Sequence, residues 1–323
     1  MRQGSGATRI YRWLGLAAVL LSLAYFVRFA VRNAGSLPRL TWDAATVAGL
    51  TGSVLIYLVF VLLAGVIWYI LLRSVGEPAR PRAALAIFAV AQFGKYVPGN
   101  VAHLAGRVVL AVQAGFVRER VLATMALEIA WAVLSGVFVA GGALALAGAQ
   151  GLVADIAAPP AAVLAGVAGG ALLVPFVGAA VLRHMPERVR AKVPGLSEVR
   201  TPGPWPLAAC FVIGCLSMLL LSVIPVVLDV AVFGGGGQQY LTVAGVFALA
   251  WVAGFITPGA PAGLGVRDAI LMGGLTPSYG AGAALGVTVV MRVVTSAGDA
   301  IAFLIGMAAR AAQGTRPAPP PSN

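Results

Sequence analysis

Long apolar runs constrain this chain more than any motif in it. Several exceed the ~20 residues needed to cross the hydrocarbon core of a bilayer. Hydrophobic residues make up 60% of the 323, and only 10% are charged, against roughly a quarter in soluble domains. Such a chain has too few polar groups to cover its own apolar surface, so lipid must cover it. The fold class predicted is therefore all-α integral membrane, multi-pass. No polar block is long enough to form a soluble domain, and the longest polar stretch, 183–206, reads as a loop.

The net charge of +12 does not point to nucleic acid, because the basic residues lie in short loops beside apolar runs. Twenty of the 22 basic residues are arginine. Cys210 and Cys215 sit five apart in one apolar run and read as small hydrophobes. No disulfide or zinc spacing is present. The N-terminal apolar run lacks a clear small-residue cleavage site and reads as a retained first span. Walker loops, dinucleotide fingerprints and metal-ligand clusters are absent from the sequence, so no cofactor is expected.

About six full spans are predicted: 13–31, 45–72, 121–148, 157–182, 206–231 and 279–309. Two further apolar segments, 83–114 and 241–274, are broken by Pro98-Gly99 and Pro258-Gly259. Proline removes a backbone donor and clashes with the preceding turn, so each first arm should stop short of crossing. Such breaks are tolerated only against protein or a wet cavity. Both segments are therefore predicted to be re-entrant helical hairpins. With both termini cytoplasmic, the inner segments 1–12, 73–82, 115–120, 183–205 and 310–323 carry 3, 3, 2, 5 and 2 basic residues. The outer connections hold only Arg32 and Arg39. That asymmetry follows the positive-inside rule and fails if either hairpin is counted as a full span.

The hairpins share a spacing: Pro-Gly, seven residues, then Arg107 or Arg267, with Leu104 and Leu264 at matching places. The flanks match too, giving span, hairpin, span in 45–148 and again in 206–309. Three spans separate the hairpins, so they should open to opposite sides as an inverted repeat. The remaining divisions are 1–44, a basic segment and first span; 149–205, a linking span and basic loop; and 310–323, a Pro-rich disordered tail. Inverted repeats let transporters expose one midplane site to either side in turn. Duplication in a membrane scaffold without transport stays open as an alternative.

Ionisable residues inside spans are costly and count as site candidates. Glu128 and Arg292 occupy the third element of each half, and Asp299 lies two turns beyond Arg292. Glu128 and Arg292 are expected to meet near the centre, either as a structural ion pair or as part of the mechanism; with Asp299 they are assigned to gating or coupling. Lys95, Asn100, His103 and Arg107 flank the first break, and Arg267 and Asp268 follow the second. Basic residues beside broken helices suit an anionic group such as phosphate, and arginine's planar fork matches its oxygens. Snorkelling to the interface is the competing reading for each cation.

At these residues the chain resembles the transmembrane, flippase-like region of lysylphosphatidylglycerol synthases and its stand-alone relatives. The resemblance is carried by Gly94-Lys95-Tyr96-Val97-Pro98-Gly99-Asn100 with Gly106-Arg107, and by Thr257-Pro258-Gly259 with Gly263-Leu264-Gly265-Val266-Arg267-Asp268. Glu128 and Arg292 also fall where that family places an acidic and a basic residue. The likeness covers roughly 45–309 and implies translocation of an anionic lipid between leaflets of a bacterial inner membrane. The chain departs from the pattern at Asp268, where Glu is more usual, and at Ile129, where many members carry Arg. It also lacks a soluble aminoacyl-transfer domain, so it is not expected to be an enzyme. Membrane lipids are the expected partners. A membrane subunit presenting lipid to a separate glycosyltransferase or lipid synthase is the second reading. An embedded transferase, with Glu128 or His103 as base, is a third.

Overall fold

The computed structural model describes residues 41–96, 102–148, 200–236, 239–257 and 263–312, with isolated positions in 28–35 and parts of 166–190. Among these residues every regular element is helical. The predicted spans 13–31 and 157–182 fall largely outside the described residues, as do Pro98, Gly99, Asn100, Pro258 and Gly259.

Helix α1 (Ala44–Ser74) starts where the Asp43 carboxylate accepts the Thr46 N–H at 2.8 Å, satisfying one of the free amides at the helix start. Helices α2 (Pro81–Gln92) and α3 (Ala102–Gln113) have 12 residues each. At 1.5 Å per residue each is about 18 Å long, well short of the ~30 Å hydrocarbon core. A 3-10 turn, Phe93–Tyr96, extends α2 to the break. Helix α4 (Arg118–Ala147) is long enough to cross.

The next predicted span, 206–231, is two helices in one apolar run, α5 (Pro204–Leu221) and α6 (Val223–Phe233), interrupted at Ser222. Pro225 lacks the N–H that would bond Leu221, and the Ser222 hydroxyl donates to the Leu219 carbonyl at 2.6 Å. Helix α7 (Tyr240–Ile256) leads to the second break, and α8 (Val266–Ala312) follows it. The sequence divides α8 at 275–278, whereas the chain stays helical through Pro277 and bends at Gly280, where φ is 78° and ψ is 160°. Only glycine adopts that backbone without strain, so the bend falls there and not at the proline.

Among the described residues four stretches are long and apolar enough to cross a membrane: α1, α4, α5 with α6, and α8. Their outward faces carry exposed Leu55, Leu62, Val137, Val212, Leu216, Val293 and Leu304, while Trp68, Phe88, Phe211 and Phe247 are fully buried. Large apolar side chains on the outside and tight packing within are what a lipid solvent selects.

Each broken segment folds back on itself. At the first, the Glu77 carboxylate before α2 accepts the Val117 N–H after α3 at 3.2 Å, and Arg120 donates to the Gly76 carbonyl at 2.9 Å. At the second, the Ser278 hydroxyl meets the Gln239 side-chain oxygen at 2.9 Å, joining the start of α7 to the bend in α8. The two openings lie at opposite ends of α4. The first is at its N-terminus, beside Val117, and the second is near Leu144, against which Gly245 packs. Helix α7 runs along α4 and α2 runs along α8, through small residues that let helices approach: Gly136 on Val252 and Gly306 on Ala86 and Ala89. Both hairpin tips consequently reach the middle of the molecule.

Candidate functional site

The site is built from the two tips and from the middle of α8. A glycine closes each tip at the same offset, four residues before the proline. A Cβ on Gly94 would stand 2.7 Å from the His103 backbone nitrogen, and one on Gly254 would stand 3.2 Å from the Gly263 Cα. The arms therefore touch backbone to backbone, which no larger residue permits. This pairing of glycines was visible in the sequence as an offset, but the packing that requires it was not.

Between the tips lies a cavity of about 120 Å³ walled by Tyr57, Lys95, Tyr96, His103, Arg267 and Arg292, among others. A second cavity of about 110 Å³ adjoins it and contains Arg107 and Glu128. Phe60, Gln92, His103, Trp251 and Phe255 border both. Each has room for several waters or one compact polar group.

The charges pair differently from the sequence expectation. Glu128 and Arg292 do not join the two halves. Glu128 takes Arg107, from the second arm of its own hairpin. Arg292 takes Asp268 in a two-point contact, Nε to Oδ1 at 2.7 Å and NH2 to Oδ2 at 2.6 Å. Each partner is the nearer one in the fold, because the second arm of each hairpin packs beside the third element of the same half. Sequence register alone placed Glu128 and Arg292 at equivalent depths, but did not reveal that each had a closer partner at hand.

Asp268 has a second task that explains its position. Its Oδ2 accepts the Gly265 N–H at 3.0 Å, reaching back to the start of α8 as an acidic residue in a first helical turn commonly does. Arg107 is paired with Glu128 and packed against two rings, although its buried Nε has no hydrogen-bond partner. Its guanidinium lies 4.4 Å from the Phe88 ring centroid and 5.2 Å from that of Trp68, and the side chain is 3% exposed.

The contact that does cross between the halves is one the sequence did not pair. Lys95, at the first tip, lies 2.7 Å from Asp299 of α8. Asp299 is fully buried and accepts from the Tyr57 hydroxyl at 2.8 Å and the Tyr96 hydroxyl at 2.5 Å. Lys95 also donates to the Tyr57 oxygen at 2.8 Å. Lys95 and Arg107, both expected to bind an anionic group, are each paired with a protein carboxylate here. Nothing in the sequence singled out Tyr57, one of two tyrosines in an apolar span.

Arg267 differs. Among the described residues it forms no ion pair; its buried Nε, like that of Arg107, has no hydrogen-bond partner. It faces the first cavity, where Lys95, Arg267 and Arg292 supply three cations and Asp268 and Asp299 two anions. The balance is one positive charge, carried by Arg267. His103, also expected at the site, is buried between the cavities with Nδ1 unpartnered.

No curated protein matches the chain. The sequence profile of the family described as lysylphosphatidylglycerol synthase TM region matches residues 12–302, which takes in every element above except the last turns of α8. The chain belongs to the lysylphosphatidylglycerol synthase transmembrane region family.

Proposed function

We propose that the protein is a flippase-like transporter that moves an anionic phospholipid, or a related lipid-linked substrate, between the leaflets of a bacterial inner membrane. The observation that carries this is the single unbalanced guanidinium of Arg267 in the wall of a polar cavity between two hairpin tips. A half-buried cation with no ion-pair partner among the described residues is costly, and an anionic headgroup relieves that cost. The folded-back segments support their reading as re-entrant hairpins, and the opposite positions of their openings support an inverted repeat with both termini cytoplasmic. In such a repeat a midplane site is reached from either side by rocking one half against the other.

Reconstitution in liposomes tests it. A fluorescent anionic phospholipid should equilibrate between leaflets in the presence of the protein, and a zwitterionic analogue should do so more slowly. Arg267→Gln should slow transfer of the anionic lipid at least tenfold while leaving the thermal midpoint in detergent within a few degrees. Unchanged transfer in a folded Arg267→Gln protein would rule out the headgroup role.

A further inference from the structure

Lys95 sits in the same cavity as Arg267, yet its charge is spent on Asp299. Several observations indicate that this bond is exchangeable. The Lys95 ammonium has three N–H donors; one goes to Asp299 and one to Tyr57, and the third has no partner among the described residues. The Lys95 side chain is 19% exposed, towards the cavity, whereas Asp299 has no exposure at all. Asp299 would not be left bare by the loss of Lys95, because the Tyr57 and Tyr96 hydroxyls still donate to its two oxygens. Lys95 is in the 3-10 turn beside the break and has four rotatable side-chain bonds, so its ammonium can turn without moving a helix. Arg267 and Arg292 are close enough for their charges to be felt at Lys95, a repulsion that an anion placed among them removes.

We infer that Lys95 is an exchangeable second ligand for the bound anion: a phosphate or phosphodiester held by Arg267 draws the Lys95 ammonium away from Asp299. The inference rests on the anion site proposed at Arg267. It has a mechanical consequence. The Lys95–Asp299 contact is one tie between the first hairpin arm and α8, beside the Tyr96 bonds to Asp299 and Ser296, so an anion that captures Lys95 weakens that attachment without severing it.

The chain contains only two lysines, Lys95 and Lys192. Protein labelled with ζ-15N lysine and purified in detergent therefore gives two side-chain signals, and Lys192→Arg identifies the one from Lys95. Dihexanoyl phosphatidylglycerol and inorganic phosphate are titrated separately, with Arg267→Gln as the control for the site. A lipid-headgroup site responds to the first probe and at most weakly to the second; a free-phosphate site responds to the second. In either case the Lys95 signal should shift in step with binding. Asp299→Asn should shift the same signal before any probe is added and tighten probe binding several-fold. Lys95→Met should weaken it about tenfold and abolish the gain from Asp299→Asn. Arg267-dependent binding with a motionless Lys95 signal overturns this inference and leaves the anion site standing. If neither probe shows Arg267-dependent binding, the anion site itself fails. Because the wild-type titration needs no substitution at Lys95 or Asp299, the outcome does not depend on those variants folding.

Discussion

Arg107 and Arg267 stand at the same place in their hairpins, nine residues after the proline, yet the fold treats them in opposite ways. Arg107 is sandwiched against Phe88 and Trp68 and paired with Glu128. Arg267 has Arg292 nearby in the cavity wall, a like charge, and no ion pair among the described residues, whereas the Nε atoms of both arginines lack a partner. The acid that might have served Arg267 is its neighbour Asp268, which instead holds Arg292 and the start of α8. One arginine is paired within the scaffold and the other, among the described residues, is not. Equivalence in sequence therefore establishes equivalence of position, while the neighbours decide the role.

Removing the acid from each pair strains this contrast most. Glu128→Gln leaves Arg107 buried without a counter-charge, and breaking a buried pair in this way costs about 3–5 kcal/mol. A large fall in the thermal midpoint is expected, with Arg107→Gln/Glu128→Gln recovering part of it. Arg267→Gln, by comparison, should be nearly neutral for stability. If the two single variants destabilise equally, the distinction between scaffold and site collapses.

The glycines at the tips allow a symmetrical test. Gly94→Val and Gly254→Val each insert bulk where backbones meet, at about 1–3 kcal/mol for overpacking. Equal losses in both, measured by thermal unfolding, are expected if the tips close in the same way. A loss confined to one would show that only one hairpin depends on its glycine.

The smallest expected effect is also the most selective. Arg107→Lys keeps the charge but gives up the planar face that lies on two aromatic rings, a change of about 0.5–2 kcal/mol. Arg267→Lys has no such stack to lose and should retain most anion binding in the titration. A stability loss at Arg267 as large as that at Arg107 would indicate that Arg267, too, is a packed structural residue.

The apolar runs and the short helices beside the predicted breaks were legible because bilayer thickness and proline chemistry act locally along the chain. The charged residues of the site were legible for a related reason, since ionisable groups are rare in such spans. Their pairing was not. Which acid reaches which base depends on the helix that packs alongside, and depth along a span carries no record of that. Lys95 and Asp299, 204 positions apart, left no spacing to read, and the Tyr57 and Tyr96 hydroxyls that hold Asp299 resembled ordinary span aromatics. The bend lies at Gly280, beyond the expected division at 275–278, because its positive φ is open to glycine while Pro277 is accommodated within the helix.

The glycine contacts at the tips also determine how the molecule can move. Two arms that meet backbone to backbone have no side chains between them to slide or re-pack, so a hairpin cannot splay open gradually; it either keeps its closed tip or loses it altogether. Each hairpin is accordingly a stiff lever, with its fulcrum at the hydrogen bonds across its opening, Glu77 with Val117 or Gln239 with Ser278. On the proposed function, access to the central cavity would come from these levers tilting against α4 and α8 along their glycine- and alanine-lined faces.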